Sequence, residues 1–268
     1  MALVIPFKAV RPKKAFAREV ASFPYDVLDR EEGRAIIRDN PLNFLRVEKS
    51  EIDVPNEIRD DDPRVFARAR ENLQNFMKDG VLFQEDRPCF YIYRQKDARR
   101  EQYGLVGCVS VGEYDQGLIK RHELTRVDKE NERVSHIDTT GAQTGLVFLL
   151  YRSRAEIDRI VSAITRGEPE YDFTTSDGVS HTAWVVGDSG TVEALQREFS
   201  NVECLYIADG HHRAASASTV ARMRRGRNPA HTGTEEYNRF VATLFPHEQL
   251  KILDYNRAVV ILGESGCG

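Results

Sequence analysis

The run "CLYIADGHHRAASASTVARMRRGR", Cys204 to Arg227, constrains the fold more than any other stretch of the chain. An apolar, strand-like segment meets an Asp209-Gly210 turn, and helix-compatible residues follow. Arg222, Arg224 and Arg225 complement the negative end of a helix closing at Gly226, which sets its direction. Ala214, Ala215 and Ser216 are small enough to bring that helix close to a sheet. A strand-turn-helix junction of this kind calls for a sheet with helices against it.

The rest of the chain alternates in the same way. "DPRVFARARENLQNFMKDG" predicts a helix capped by Asp62, with Pro63 in the first position and Gly80 at the end. Its apolar face is Phe66, Ala69, Leu73, Phe76 and Met77. "CFYIYRQ" and "YGLVGCVSV" have hairpin spacing. Thr125 with Asp128, and Ser153 with Glu156, have the spacing of capping boxes. "LVFLLY", "HTAWVV", "FVATLFP" and "KILDYNRAVV" read as strands, and "SRAEIDRIVSAITRG" and "TVEALQREF" as helices. The expected fold class is α+β or mixed α/β. The expected organisation is an N-terminal α+β region over 1–112, a second region over 113–259 and an atypical tail over 260–268.

Composition narrows the function. Of 268 residues 41% are hydrophobic and 30% charged, as in a folded globular protein, and a net charge of -4 argues against a nucleic-acid partner. Cys89, Cys108, Cys204 and Cys267 form no CxxC pair, which argues against structural zinc and for reduced thiols. The N-terminus lacks the pattern of a signal peptide, and no window approaches the about 18 apolar residues of a membrane span. A cytoplasmic location is the expectation.

The candidate site follows from the junction. Gly210, His211, His212 and Arg213 fall at a helix N-terminus, where unpaired N–H groups and the positive dipole end attract anions. Arg213 can hold a phosphate bidentately, and Asp209 can reach a magnesium ion carried by a nucleotide. Successive helical residues point about 100° apart, so His211 and His212 do not readily share one ion. The plainer alternative is Asp209 as the helix cap. In "IKRHELT", a carboxylate, Glu123, stands beside His122, Lys120 and Arg121, as a general base would, or as a solvated charged surface would. "TTGAQTG" is no Walker motif and reads as a loop, and "SFPYDV" reads as a turn. Asp26, Glu235 and Asn238 can each enter a site, with no chemical reason to prefer them.

Taken together, "VIPFKAVRP", "VASFPYDV", "NPLNFLRVEKSEIDVP", "IKRHELTRVDKENER", "YDFTTSDGVSHTAWVV", "YIADGHHRAASA" and "LKILDYNRAV" resemble the family known as domain of unknown function 1015. That family is similar to the ParB/sulfiredoxin-like superfamily, whose Gly-x-x-Arg junctions bind nucleotide phosphates. The resemblance implies a ParB/sulfiredoxin-like core with a strand-turn-helix phosphate junction, and the 113–259 region as the nucleotide-binding part.

Gly210 and Arg213 match the Gly and Arg, and His212 matches the His before Arg in sulfiredoxin and in free-serine kinases. His211 stands where sulfiredoxin has its catalytic Cys, which argues against sulfinic acid reduction. Glu123 matches the catalytic glutamate of the kinases. The resemblance therefore implies a phosphotransferase using ATP or ADP with magnesium on a small hydroxyl metabolite such as serine. Its catalytic candidates are Glu123, His122 and His211, and its phosphate-binding candidates are Asp209, Gly210, His211, His212 and Arg213. Alternatives are a ParB-like nucleotide switch and a metal-dependent hydrolase using Asp209 and His211. The ending "VILGESGCG" departs from the family, and a truncated copy is the expectation there.

Overall fold

The computed structural model describes residues 2–251, in which eleven strands and nine α-helices alternate. The strand expected over 251–260 lies outside them from residue 252 on, as do the 260–268 tail and Cys267. The chain opens with β1 (Val4–Ile5) and β2 (Val10–Pro12), followed by α1 (Ala17–Val20), α2 (Arg30–Asp39), α3 (Leu45–Glu48) and α4 (Pro63–Lys78). A reciprocal capping box between Asp29 and Glu32 starts α2. At α4, Asp62 accepts the Arg64 N–H, Pro63 takes the first position, and Gly80 at φ 70° ends the helix. Phe66, Ala69 and Phe76 are buried on its inner face, while Met77 lies at the exposed rim.

Next come β3 (Leu82–Gln84), β4 (Phe90–Lys96), β5 (Glu101–Ser110), α5 (Val111–Asp115), β6 (Ile119–Lys120), α6 (Val127–Thr140), β7 (Val147–Tyr151) and α7 (Ala155–Ile164). The remainder is β8 (Tyr171–Thr174), β9 (Ser180–Val186), α8 (Ser189–Ser200), β10 (Leu205–Asp209), α9 (His211–Arg227) and β11 (Arg239–Pro246). Two expected capping boxes do not form. Arg126 and Arg154 occupy the N-cap positions of α6 and α7 without side-chain caps. Thr125 instead donates to Glu130 at 3.0 Å, and Ser153 meets His247.

Nine strands form one mixed sheet in the order β6-β10-β7-β11-β5-β4-β9-β8, with β1 beside β5. The pairs β10–β6 and β11–β7 are parallel and the others antiparallel. Strands from both sides of residue 112 share this sheet. Its core gathers Phe90, Ile92, Leu105, Ile119, Leu149, Phe199 and Phe240, all at most 2% exposed. A second cluster, Val20, Val47, Phe76, Val81 and Leu82, seats the N-terminal helices. Fully burying a side chain of this size stabilises the fold by about 1.5–3 kcal/mol.

Helix α9 buries Ala214, Ala215, Ser216, Ala217, Ser218 and Ala221, so it presents almost no side-chain bulk to its neighbours. It ends at Arg227, one residue beyond Gly226. That small-residue face packs α9 against α5 and α6 and near β7 and β11. Cys89 and Cys108 are buried as small hydrophobes, and burial pushes the Cys108 thiol up to about 12. Among the described residues, no helix is long and apolar enough to cross a membrane.

Candidate functional site

The junction between β10 and α9 is shaped by two backbone irregularities. The pairing of β10 with β7 shifts register between Ile207 and Asp209, a bulge that re-aims the strand end. Gly210 then takes φ 94°, ψ 30°, the left-handed conformation that costs an L side chain most. A Cβ there would also lie 3.2 Å from Arg213 Nε and 3.4 Å from the Val147 Cα. Any other residue at this turn is thus strained on two counts.

The first intrahelical bond of α9 runs from the Ala214 N–H to the Gly210 carbonyl. Among the described residues, the N–H groups of His211, His212 and Arg213 have no acceptor. Asp209 does not cap the helix. Its Oδ2 accepts from Arg213 Nη2 at 2.5 Å, and Arg213 Nη1 also donates to the Leu146 carbonyl. The Arg213 side chain therefore folds back across Gly210 and ties the helix start to Leu146, just after the "TTGAQTG" loop.

The two histidines part company. His212 Nε2 accepts the Arg126 N–H at 3.0 Å, so this ring holds the start of α6. His211 is 4% exposed and turns toward the segment after β6. Its Nδ1 lies 3.5 Å from Glu123 Oε2, and its ring meets that of His122 edge-to-face at 4.4 Å between centroids. Burial, then the neighbouring His122, hold its imidazole below the ordinary 6.5. Glu123 and His122 are themselves exposed. The expected catalytic candidates Glu123, His122 and His211 are thus one cluster, and it borders the expected phosphate cradle.

Beneath Arg213 lies a buried polar group that sequence reasoning missed. Arg133 donates to Glu48 Oε2 at 3.1 Å and to the Glu48 carbonyl, and its guanidinium sits 4.0 Å from the centre of the Tyr25 ring. His136 Nε2 bonds the Val47 carbonyl at 2.8 Å. Arg133 lies in the charged run VDKENER and Glu48 between Arg46 and Lys49, so neither stood out as a buried charge. Gln143 of the loop bridges to β11 through the Arg239 carbonyl and the Val241 N–H.

A cavity of about 20 Å³ between Arg133, His136, Gly145 and Arg213 is far too small for a nucleotide. A cleft of about 850 Å³ runs between α6 and the Asn56–Asp61 loop, and none of the expected site residues lines it. The junction's claim rests on its donors, not on enclosed volume. Glu235 and Asn238 serve their own loop: Glu235 accepts the Thr232 and Gly233 N–H groups, and Asn238 bonds back to it.

A family model described as protein of unknown function (DUF1015) matches residues 4–265. The chain belongs to that family. No curated protein and no solved structure matches it. For this DUF1015 member the match spans the junction, the His122–Glu123 segment and the Glu48–Arg133 pair alike.

Proposed function

We propose that the chain is a nucleotide-dependent phosphotransferase acting on a small hydroxyl metabolite, with serine as the first candidate. The β10–α9 turn is read as the Gly-x-x-Arg junction of a ParB/sulfiredoxin-like core. The observation that carries this reading is the row of three unpaired N–H groups, those of His211, His212 and Arg213, at the positive end of α9. These donors suit the terminal phosphates of ATP or ADP.

The bound nucleotide supplies the phosphoryl group, and magnesium neutralises its charge. The chain's own residues position and move the proton. Glu123 takes the proton of the acceptor hydroxyl, and its exposure leaves room for an acceptor beside it. His211, 3.5 Å away, orients that carboxylate. Asp209 Oδ1 has no protein partner among the described residues and is available to magnesium-bound water. Arg213 braces Asp209 and stands at the cradle's edge. Phosphoryl transfer is mostly positioning and charge stabilisation, so these parts form a sufficient minimal set.

The test is a thermal-shift screen of ATP, ADP and CTP with magnesium, followed by an acceptor screen that includes L-serine. Nucleotide at one hundred times its Kd should add about 2.7 kcal/mol of stability. Arg213→Ala should abolish the shift, and Glu123→Gln should keep the shift and lose turnover. A protein that no nucleotide stabilises would refute the reading, and full turnover in Glu123→Gln would refute the base.

A further inference from the structure

We infer that His122, Glu123 and His211 form a binding site for a divalent transition-metal ion of the Zn²⁺ class. The three residues come from two elements that the sheet brings together: the segment after β6, and the first residue of α9, whose preceding strand β10 pairs with β6 in parallel. One ligand atom from each lies within 4.8 Å of the other two. In a tetrahedral zinc site, bond lengths near 2.0–2.1 Å put donor atoms about 3.4 Å apart. The His211 Nδ1 to Glu123 Oε2 separation is already 3.5 Å. The remaining contraction falls on His122 and Glu123, whose exposed side chains can rotate.

The donor set selects the ion. Two imidazoles and one carboxylate suit zinc, cobalt or iron, whereas magnesium and calcium want oxygen ligands. Three protein ligands leave a coordination position open, as in catalytic rather than structural sites. Burial of His211 supplies the rigid member, and the exposed pair supplies the entry path. The positive end of α9 opposes a cation, and the charge of Glu123 offsets it. The His122 N–H to His211 Nε2 contact is 3.5 Å, too long to lock the tautomer of His211 against coordination. The site differs from the Asp209–His211 pair weighed from sequence, because Asp209 is drawn away by Arg213.

The inference goes beyond the phosphotransferase reading, in which Glu123 acts as the base only while no metal holds its carboxylate, and it can fail separately from that reading. The full chain, stripped with chelator and free of nucleotide, is titrated with Co²⁺ and followed by visible absorption. The expected result is a saturable band at one ion per chain, displaced by Zn²⁺. Affinity should fall in His122→Ala, Glu123→Gln and His211→Ala by more than the roughly 10–100-fold typical of losing an outer-shell partner. The control His231→Ala should be unchanged. If His211→Ala fails to fold, the two exposed positions decide the matter alone. No saturable band, or a band that survives the His122 and Glu123 substitutions, would overturn the inference and leave only the 3.5 Å contact between His211 and Glu123. Nucleotide-induced stabilisation is read with magnesium in chelated protein, so loss of one result leaves the other standing.

Discussion

His212 Nε2 accepts the backbone N–H of Arg126 at 3.0 Å, fastening the first turn of α9 to the first turn of α6. This is a cap supplied from another helix, and α6 has no side-chain cap of its own. His212→Ala should therefore cost about 1 kcal/mol of unfolding free energy, the usual worth of a lost cap. Urea unfolding measures it, and hydrogen exchange should show the loss concentrated at the start of α6.

Gly210→Ala is expected to hurt twice. The left-handed conformation alone costs an alanine about 1–2 kcal/mol. The added Cβ also meets Arg213 Nε at 3.2 Å, so the guanidinium that holds Asp209 must give by a few tenths of an ångström. The variant should unfold earlier in urea and show no thermal shift with ATP. A full shift in a folded variant would mean that the nucleotide binds elsewhere.

Glu48 and Arg133 are a buried ion pair, each about a tenth exposed at the side chain. Glu48→Ala leaves the guanidinium only the more distant Glu132, at 3.7 Å, and should destabilise by about 3 kcal/mol, the low end for a broken buried pair. Adding Arg133→Met should recover part of that loss, because both charges then leave the interior together. A double-mutant cycle in urea reads the coupling, and strict additivity would count against the pair.

His136 gives the chain a predictable acid sensitivity. Burial, then the charge of Arg133, hold its imidazole below the ordinary 6.5, against a smaller opposing pull from Glu48. Below 6.5 the unfolded chain binds a proton that the folded chain refuses, so stability is full above that pH. It then falls as the pH drops from 6.5 toward the folded value. Unfolding free energies between pH 7.5 and 5 should show this slope, and His136→Gln, which can still donate to the Val47 carbonyl, should lessen it, leaving the share of His181 and His211, which burial also holds below 6.5.

The junction was legible because its signals are local. A strand, an Asp-Gly turn and a cationic helix end all act within a few residues, and the β10–Gly210–α9 turn follows from them. The helix α4 and the β4–β5 hairpin were legible for the same reason. The caps at Thr125 and Ser153 failed because Glu130 and His247 compete for those hydroxyls, and His247 is remote in sequence from Ser153. The convergence of His122, Glu123 and His211 was foreshadowed only by residue type. Its geometry depends on the parallel pairing of β6 with β10, which no local pattern encodes. Glu48 and Arg133 escaped notice because a charge in a helix looks solvated until its partner, far along the chain, is known.

The position of β11 has a consequence for how the protein is made. It lies between β7 and β5, so without it the strands would be two separate sheets, β6-β10-β7 and β5-β4-β9-β8. On the ribosome β5, complete at Ser110, must wait for Arg239–Pro246 before its free edge is covered. At ordinary rates of translation that interval is on the order of ten seconds. Until then the edge of β5 is an unpaired row of backbone groups, open to pairing with another chain.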